Sequence, residues 1–404
     1  MSTLAAVAPR QNGSQSLEVA RALTQTLGLH TAVVRSREAF DGLLGDWEAL
    51  ERRCSGATLF QGHGWARAIW DFEAARGKGD FDPVIVSLRR GGTLVGVLPL
   101  ERVRTRTRVV LAPLGHAFGQ YSDALLAEGI EPREAVGALL KAAIAAARPD
   151  AVSFLKVRSD SVLARGMPAN HCVTGEDQGA PYVALDHFPN YASYFSTIKP
   201  KTRKNMRNGR NRLERDGALT HHVAQGPAET LGVIERTLEG RAERLRDQGL
   251  SSRAFRDRAF FDFCASLPAR ADLPLLAMSL HHNNRPIAEQ WGFVHKGRYY
   301  AFVASRDFGN SDESPGKLHL GEVTQTCAAL GLQGADLMVP VMPYKLTWAT
   351  EVVSVRDYAL PVTPRGLLMI RLWDRGLRPR LKAMMLAMPA GLRSALMKAA
   401  GSGL

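Results

Sequence analysis

The sequence predicts a mixed α/β protein with two tandem lobes of similar size, followed by a helical tail. Short alternating apolar runs typical of strands and three-to-four-residue apolar spacings typical of helices succeed one another along the chain. The pattern of helices and strand hairpins seen in the first half begins again after Pro181. A length of 404 residues is too great for one compact domain and suits two.

The first lobe is predicted over residues 31–190, after an N-terminal extension of residues 1–30. Its clearest turn is Gly91-Gly92, which joins two apolar runs into a hairpin. The predicted strands are 31–34, 83–88, 93–103 and 151–157, and the predicted helices are 37–53, 60–75 and 132–147.

The second lobe is predicted over residues 191–362, and residues 363–404 form the tail. Asn283-Asn284 is its hairpin turn. The predicted helices are 191–198, 200–215, 229–246, 252–267 and 316–330, and the strands are 275–282, 285–295, 298–305 and 334–339, with one more before Gly226.

Composition excludes several classes of protein. With 45% hydrophobic and 23% charged residues the chain is neither disordered nor fibrous. Its four cysteines lie far apart, which argues against a disulfide framework and a thiolate zinc site, so we expect no metal and a reducing compartment. No apolar run reaches the roughly 20 residues that a membrane-spanning helix needs, and no signal peptide is evident. These features predict a cytoplasmic protein.

Positive charge is concentrated in two segments. The formal net charge is +13, of which +7 lies between Arg365 and the C-terminus. The other cluster, Lys199–Arg215, is predicted to form a basic helix with one narrow packing stripe of Thr202, Met206, Gly209 and Leu213. Nucleic acid is a disfavoured partner because no aromatic residues interleave with these cations. The helix is either simply solvated or faces an anion.

The tail combines cations with an apolar helical face. Leu381, Met384, Met385 and Met388 follow the spacing of one such face, and Pro379 and Pro389 are predicted to divide the tail into three short helices. This pattern is typical of an element lying on an anionic membrane, here the inner membrane. A terminal helix docked on the protein's own core is the alternative.

Two neighbouring segments of the second lobe carry the groups expected of a chemical site. A predicted strand passes through Glu289-Gln290-Trp291. Further on, Ser314-Pro315-Gly316-Lys317 stands at a predicted helix start. The free N–H groups of such a helix end, with a lysine nearby, suit a pyrophosphate.

In the order of these elements the chain resembles the GNAT acyltransferase superfamily, in particular its bacterial cellulose and exopolysaccharide-biosynthesis branch. Within that branch it is similar to holdfast-polysaccharide N-acetyltransferases, and the branch resembles the tandem-lobed Fem-type aminoacyltransferases. The resemblance covers roughly residues 31–360. Its markers are Phe60-Gln61, Trp65, Trp70, Leu94–Leu100, the helix 201–215, Tyr299-Tyr300, Ser314-Pro315-Gly316, Gly331, Asp336-Leu337, Tyr344-Lys345 and Trp348.

The resemblance implies two GNAT-like lobes and direct acyl transfer from acetyl-CoA, without a covalent intermediate. It implies that Ser314, Pro315, Gly316 and Lys317 hold the pyrophosphate and that the strand with Gln290 lines the thioester. Glu289 and Asp336 are the candidate bases, Tyr344 the candidate acid and Lys345 a partner for an anionic group.

The loop Gly119–Asp123 resembles an acceptor-facing segment of the family. Gln120 and Tyr121 of this loop, with Gln61 and Trp65, are predicted to shape a sugar-binding cleft between the lobes. One departure from the family stands beside these expectations: Pro340-Val341-Met342-Pro343 replaces a segment that usually carries an acidic residue, which puts a base there in doubt.

Three functional hypotheses follow. The leading one is an N-acyltransferase that modifies an amino sugar or lipid-linked glycan precursor of an extracellular polysaccharide, with the tail holding it at the inner membrane. The second is a regulatory or binding protein on the same scaffold, whose basic tail binds cyclic di-GMP. The third is a Fem-like aminoacyltransferase that uses charged tRNA.

Overall fold

One mixed sheet runs through both halves of the chain. The computed structural model describes residues 28–105, 107–247, 255, 258–306, 315–389 and 393, and within them thirteen strands belong to this sheet. They are β1 (Leu29–Val34), β2 (Pro83–Arg90), β3 (Thr93–Arg104), β4 (Val109–Pro113), β5 (Leu125–Leu126), β6 (Ala151–Arg158), β7 (Cys172–Ala184), β8 (Leu219–Val223), β9 (Leu275–His282), β10 (Arg285–His295), β11 (Arg298–Arg306), β12 (Gly334–Asp336) and β13 (Glu351–Pro361).

The strand order shows the same plan twice. The order is β1-β2-β3-β4-β6-β13-β7-β12-β11-β10-β9-β8, with β5 on β3. In each half, four antiparallel strands are followed by one parallel neighbour, β6 beside β4 and β12 beside β11. The last strands change places, because β7 pairs with β12 and β13 pairs with β6. The sheet is therefore continuous across the predicted boundary at residue 190, and that boundary stays a prediction.

Helices cover both faces of the sheet, which confirms the predicted fold class. Their bounds agree with the predicted ones to within about three residues, apart from two unpredicted short helices (162–166 and 343–346), the interruption of the predicted helix 37–53 at Gly42, and the predicted helix 252–267, of which residues 252–254 and 256–257 lie outside the described residues. They are α1 (Arg37–Asp41), α2 (Leu44–Arg53), α3 (His63–Arg76), α4 (Pro132–Ala147), α5 (Val162–Gly166), α6 (Tyr191–Thr197), α7 (Pro200–Asp216), α8 (Gly226–Asp247), α9 (Arg258–Ser266), α10 (Pro315–Ala329), α11 (Pro343–Leu346), α12 (Pro364–Met369) and α13 (Arg378–Ala387).

A shared core joins the two lobes on one face of the sheet. Apolar side chains of α1–α3 and of α8–α9 belong to one buried cluster. At its centre the ring of Trp65, on α3, lies 5.5 Å from Phe263 of α9 and 5.8 Å from Phe293 of β10. On the opposite face α4 packs on the first lobe and α10 on the second. Because one core includes helices of both lobes, their relative position is fixed by packing.

The basic helix and the tail have amphipathic packing. Gly209 and Leu213 of α7 are buried and Met206 packs beside them, which confirms the predicted stripe. In the tail, Ile370 is buried against Ala151 and Ala359. Among the described residues, no helix is both long and apolar enough to cross a bilayer.

The structure corrects the predicted break at Pro379. Helix α12 continues through a π-helical segment, Ile370–Leu377, directly into α13. Pro379 lies in the first turn of α13, where the wider π-helical winding before it accommodates a residue without an N–H. The predicted break at Pro389 falls at the edge of the described residues.

Candidate active site

The parallel strands β11 and β12 separate after three residue pairs. Their register runs from Arg298↔Gly334 to Tyr300↔Asp336, and β12 ends there. β11 continues to Arg306, paired only with β10 among the described residues. This opening between the two strands, called the split below, exposes main-chain groups of β11 to a ligand.

Asp336 ends β12 through its own side chain. The strand predicted over residues 334–339 ends at Asp336 in the structure, three residues earlier than predicted. It ends there because the Asp336 carboxylate accepts the N–H of Met338 at 2.8 Å and Met338 takes a φ of 58°. The chain is turned away from β11 at this point. The sequence signal for the turn is the acidic residue itself, since Asp side chains bond to the backbone two residues on.

Asp336 also links the two lobes. Its carboxylate accepts the Tyr121 hydroxyl at 2.9 Å and the Arg158 guanidinium at 2.8 Å. The side chain is 2% exposed, and burial raises the pKa of Asp336 while Arg158 opposes that rise. Two predicted site residues, Tyr121 and Asp336, are thus in direct contact. Three donors occupy this carboxylate, and its predicted role as a base stays a prediction.

Glu289 and Gln290 lie on β10. The split is bordered by the next strand, β11, so both residues are one strand away from the opening. The buried Glu289 carboxylate accepts the Ser279 hydroxyl at 2.8 Å and forms a two-pronged ion pair with Arg236 of α8, 2.7 Å at its shortest. The Gln290 amide donates to the Tyr299 hydroxyl at 3.4 Å. Glu289 is therefore a carboxylate on the α8 face of the second lobe.

Tyr344 and Lys345 lie on the short helix α11, beyond the end of β12. The Lys345 ammonium donates to the carbonyls of Met338 and Pro340, at 2.9 and 3.1 Å, and so holds the turn after Asp336. Burial lowers the pKa of Lys345 to about 8, against the field of Asp336.

The charges of three arginines act on the phenol of Tyr344. Burial raises the pKa of Tyr344, while the charges of Arg241, Arg244 and Arg306 oppose the rise. Sequence reasoning missed these arginines. A signal was present, because Arg241 and Arg244 are three residues apart and so share one face of α8.

Helix α10 begins beside the end of β11. A Cβ added at Gly316 would lie 3.2 Å from Cδ of Arg306, so glycine permits this close approach. The first turn, which includes Pro315 and Lys317, carries no acidic residue. Free N–H groups, the helix dipole and Lys317 fit a phosphate group of an acyl-CoA. Ser314, the fourth predicted cofactor residue, lies outside the described residues.

The four predicted substrate residues line one cleft in the first lobe. Gln61, Trp65, Gln120 and Tyr121 lie around a cavity between the end of β4 and Leu155-Lys156 of β6, called the first-lobe cleft below. The parallel pair β4–β6 also ends after two residue pairs. The cleft therefore occupies the place in the first lobe that the split occupies in the second. Sequence reasoning missed Lys156, since nothing in its surroundings marks a lone lysine in a strand.

The paired histidines behave as strand neighbours. His222 and His281 have rings 6.2 Å apart, whereas His221 lies 6.0 Å from His319 of α10. The adjacent pairs His221-His222 and His281-His282 are therefore each divided between the two faces of the sheet. Within the part of the chain that is described, no group of three or more His, Cys, Asp or Glu residues is arranged to hold a metal ion.

Comparison with known proteins agrees with this geometry. Residues 200–346 match the family model of the acetyltransferase (GNAT) domain, and no curated protein matches the chain. The crystal structure of FemX superposes with a TM-score of 0.58 and 10% identity, over 85% of this chain and all of that one. A conserved protein of unknown function from Bacteroides thetaiotaomicron gives a TM-score of 0.50 and 13% identity, over 78% of this chain and 97% of the other. The chain therefore contains a GNAT acetyltransferase domain, in the second half of a two-lobed fold similar to that of FemX.

Proposed function

We propose that this protein is an N-acyltransferase that uses acetyl-CoA, or a similar acyl-CoA, and acts on an amino sugar or a lipid-linked glycan precursor. We place it in the biosynthesis of an extracellular polysaccharide of the holdfast or cellulose type. The observation that carries the proposal is the split between β11 and β12, with the acid-free start of α10 beside it, inside residues 200–346 that match the GNAT model.

The residues at the split fit an acyl-CoA. Lys317 and the first N–H groups of α10 would hold a phosphate, and Arg241, Arg244 and Arg306 add positive charge near the same opening. The edge of β11 beyond Tyr300 offers main-chain groups to an extended amide chain. The co-substrate supplies the acyl group as a thioester.

Direct transfer requires a base for the acceptor amine and an acid for the departing thiolate. We assign the acid to Tyr344, a partly exposed residue whose hydroxyl stays protonated because desolvation raises its pKa. We assign the base to Glu289, whose carboxylate Arg236 orients. The amine loses its proton as the new amide bond forms and the carbon–sulfur bond breaks, and Tyr344 donates a proton to the sulfur.

The acceptor is proposed to enter through the first-lobe cleft. Trp65, Phe60 and Tyr121 give it aromatic walls, and Gln61 and Gln120 give it polar ones. Tyr121 lines the cleft and bonds Asp336 at the end of β12, so the cleft adjoins the split. Such a mixture of aromatic and amide side chains suits a sugar.

A peripheral position on the inner membrane is part of the proposal. The outer face of the tail exposes Leu368, Leu372, Trp373, Leu377 and Met384 beside several arginines. Apolar side chains flanked by cations favour an anionic lipid surface.

The proposal is tested by thiol release. Full-length protein is incubated with acetyl-CoA and undecaprenyl-linked amino sugars or free amino sugars, and free CoA is measured with a thiol reagent. Acceptor-dependent CoA release is expected. Neither turnover nor CoA binding at millimolar acetyl-CoA would contradict the proposal.

Two other functions are separated by the donor or ligand. The fold similarity to FemX favours a Fem-like aminoacyltransferase as the second candidate, in which α7 contacts charged tRNA. Amino-acid transfer from aminoacyl-tRNA, with no turnover of acyl-CoA, would support it.

A cyclic di-GMP-responsive regulator would bind that dinucleotide through the tail. Binding lost on substituting Arg375 and Arg378 with alanine, in a protein without transferase activity, would favour the regulator.

A further inference from the structure

An irregularity in β6 directs two consecutive side chains into the first-lobe cleft. Val152, Phe154 and Val157 all belong to the core under α4, although a regular strand would place Val157 on the opposite face from the other two. One residue is therefore inserted, and Leu155 and Lys156 both line the cleft. β13 shows the matching register shift opposite.

The backbone at Lys156 is held in an uncommon conformation. Its φ is 57°, a left-handed value that side-chain-bearing residues seldom adopt. Its N–H donates at 2.8 Å to the side-chain carboxylate of Asp357 on the neighbouring strand β13, instead of to a main-chain carbonyl. Strained residues of this kind persist where the surroundings hold them, and they cluster at binding sites.

The Lys156 ammonium has a neutral partner. It donates to the side-chain carbonyl of Gln120 at 2.8 Å, and across the described part of the chain it forms no ion pair with a carboxylate. Burial lowers the pKa of Lys156 to about 8, with Asp357 opposing. A partly desolvated ammonium with two further N–H groups to satisfy is unfavourable unless an anion joins it.

The other polar groups of the cleft leave donors rather than acceptors. The Gln61 carbonyl accepts from Thr58, and the Asp123 carboxylate accepts the main-chain N–H of Ala124 and two N–H groups at the start of α5. Trp65 is 1% exposed, and its indole N–H has no hydrogen-bond partner among the described residues. The cleft thus combines an ammonium with carboxylate and amide oxygens that are already engaged.

We propose that the first-lobe cleft binds an anionic group, a carboxylate or a phosphate, of the acceptor, with Lys156 as its counter-ion. The acceptor is then an acidic or phosphorylated amino sugar rather than a neutral one. This inference rests on the proposed function in one respect, namely that the bound molecule is the acceptor of the acyl group. Binding of the anion to the cleft does not itself depend on catalysis.

The test is a binding measurement without acyl-CoA. Full-length protein is titrated calorimetrically with three probes: glucosamine, glucosamine 6-phosphate and glucosaminuronic acid. We expect at least one anionic probe to bind tenfold or more tightly than glucosamine. The two anionic probes distinguish phosphate from carboxylate.

Two variants assign the effect to the lysine. Lys156→Met is expected to abolish the preference for the anionic probe, and Lys156→Arg, which keeps the charge, to retain most of it. Circular dichroism confirms that each variant is folded. If Lys156→Met does not fold, the wild-type protein is used instead. Mass spectrometry then measures whether the anionic probe protects Lys156 from acetylation by an N-hydroxysuccinimide ester.

The outcomes are separable from those of the proposed function. Equal affinity for all three probes, no binding of either anionic probe, or an unchanged preference in Lys156→Met would overturn the inference. Anion binding that depends on Lys156 in a protein without acyl transfer would uphold the site and contradict the enzyme.

Discussion

At the scale of single residues, both clefts present positive charge to a ligand. The charges of three arginines act on Tyr344 near the split, and the first-lobe cleft holds one lysine. The carboxylates of both regions are engaged, Asp336 by Arg158 and Tyr121, and Glu289 by Arg236. The chemistry of each cleft is therefore directed toward anionic oxygen or sulfur.

Replacing Tyr344 with phenylalanine removes the proposed acid. We expect kcat for acyl transfer to fall by about 10²-fold, with little change in KM for acyl-CoA, because the proton is needed only as the thiolate departs. Steady-state kinetics with acetyl-CoA measure both constants. Tyr358→Phe, on β13 outside both clefts, is the control and should keep wild-type values. An unchanged kcat in Tyr344→Phe would exclude the acid role.

The affinity of the first-lobe cleft for an anion should depend on pH. Burial lowers the pKa of Lys156 to about 8, so the ammonium is retained below that pH and lost above it. Affinity should stay level up to about pH 8 and then fall by up to tenfold per pH unit.

The other titratable groups here are Asp357 beside the lysine, Asp123 and His116 in the lining of the cleft, and Glu101, which is bonded to His116; their own titration must be separated from that of Lys156. Lys156→Arg keeps its charge throughout this range and should show no fall. Calorimetric titrations with glucosamine 6-phosphate between pH 6.5 and 9.5 make the comparison. An equal fall in both proteins would assign the pH effect to another group.

The sequence predicted some residues of the two clefts but neither their contacts nor Lys156. Tyr121 and Asp336 were both predicted site residues, but their contact was not predictable, because 215 positions separate them and the lobes had to be docked first. Lys156 was missed since its direction depends on an inserted residue in β6, which the alternation of apolar residues does not reveal.

At the scale of elements, the tail serves two surfaces at once. Ile370 is buried, and Asp374 forms an ion pair of 2.9 Å with Arg108, so one side is docked on the first lobe. The other side exposes Leu372 at 62% and Leu377 at 48%. The two sequence interpretations of the tail, docking and membrane contact, thus apply to opposite faces of it.

Replacing Leu372 with glutamine should weaken binding to anionic vesicles by about tenfold, because burying one leucine contributes about 1.5–3 kcal/mol. Co-sedimentation with phosphatidylglycerol-containing vesicles measures the effect. Leu330→Gln is the control, since Leu330 is similarly exposed at 57% but lies after α10, away from the tail. Equal binding by the wild type and both variants would remove the tail from membrane contact.

Most elements were predictable from local pattern. Both hairpin turns, Gly91-Gly92 and Asn283-Asn284, lie where predicted, and all four residues have positive φ. The strands that change places, β7 and β13, were not predicted. The β-branched residues of β13, Val352, Val353 and Val355, were a usable signal, whereas β7 begins with a polar, glycine-containing stretch.

At the scale of the whole molecule, exchanged strands and one buried network unite the lobes. β13 lies between β6 and β7, and Arg158 and Asp336 form an ion pair across the junction with side chains 10% and 2% exposed. Which strands would exchange could not be read from the sequence, since both lobes have the same kind of alternation and pairing between them is set by tertiary contacts.

Replacing Asp336 with alanine leaves the buried guanidinium of Arg158 without its interlobe partner. We expect the free energy of unfolding to fall by about 3–5 kcal/mol. Asp177→Ala removes the exposed partner of Arg356 and should cost about 0–1 kcal/mol. Chemical denaturation followed by circular dichroism compares the two. A loss in Asp336→Ala no larger than in Asp177→Ala would show that this network does not hold the lobes together.

The central claim is that acyl-CoA binds in the split between β11 and β12. Amide hydrogen exchange of the full-length protein, with and without acetyl-CoA, tests it directly. Protection is expected in residues 301–306 of β11 and in the first turn of α10, because among the described residues this part of β11 has a neighbouring strand on its β10 side alone, and the first N–H groups of a helix have no intrahelical acceptor. Saturating acetyl-CoA that leaves both segments unprotected, or protects only the tail or the first-lobe cleft, would contradict the claim.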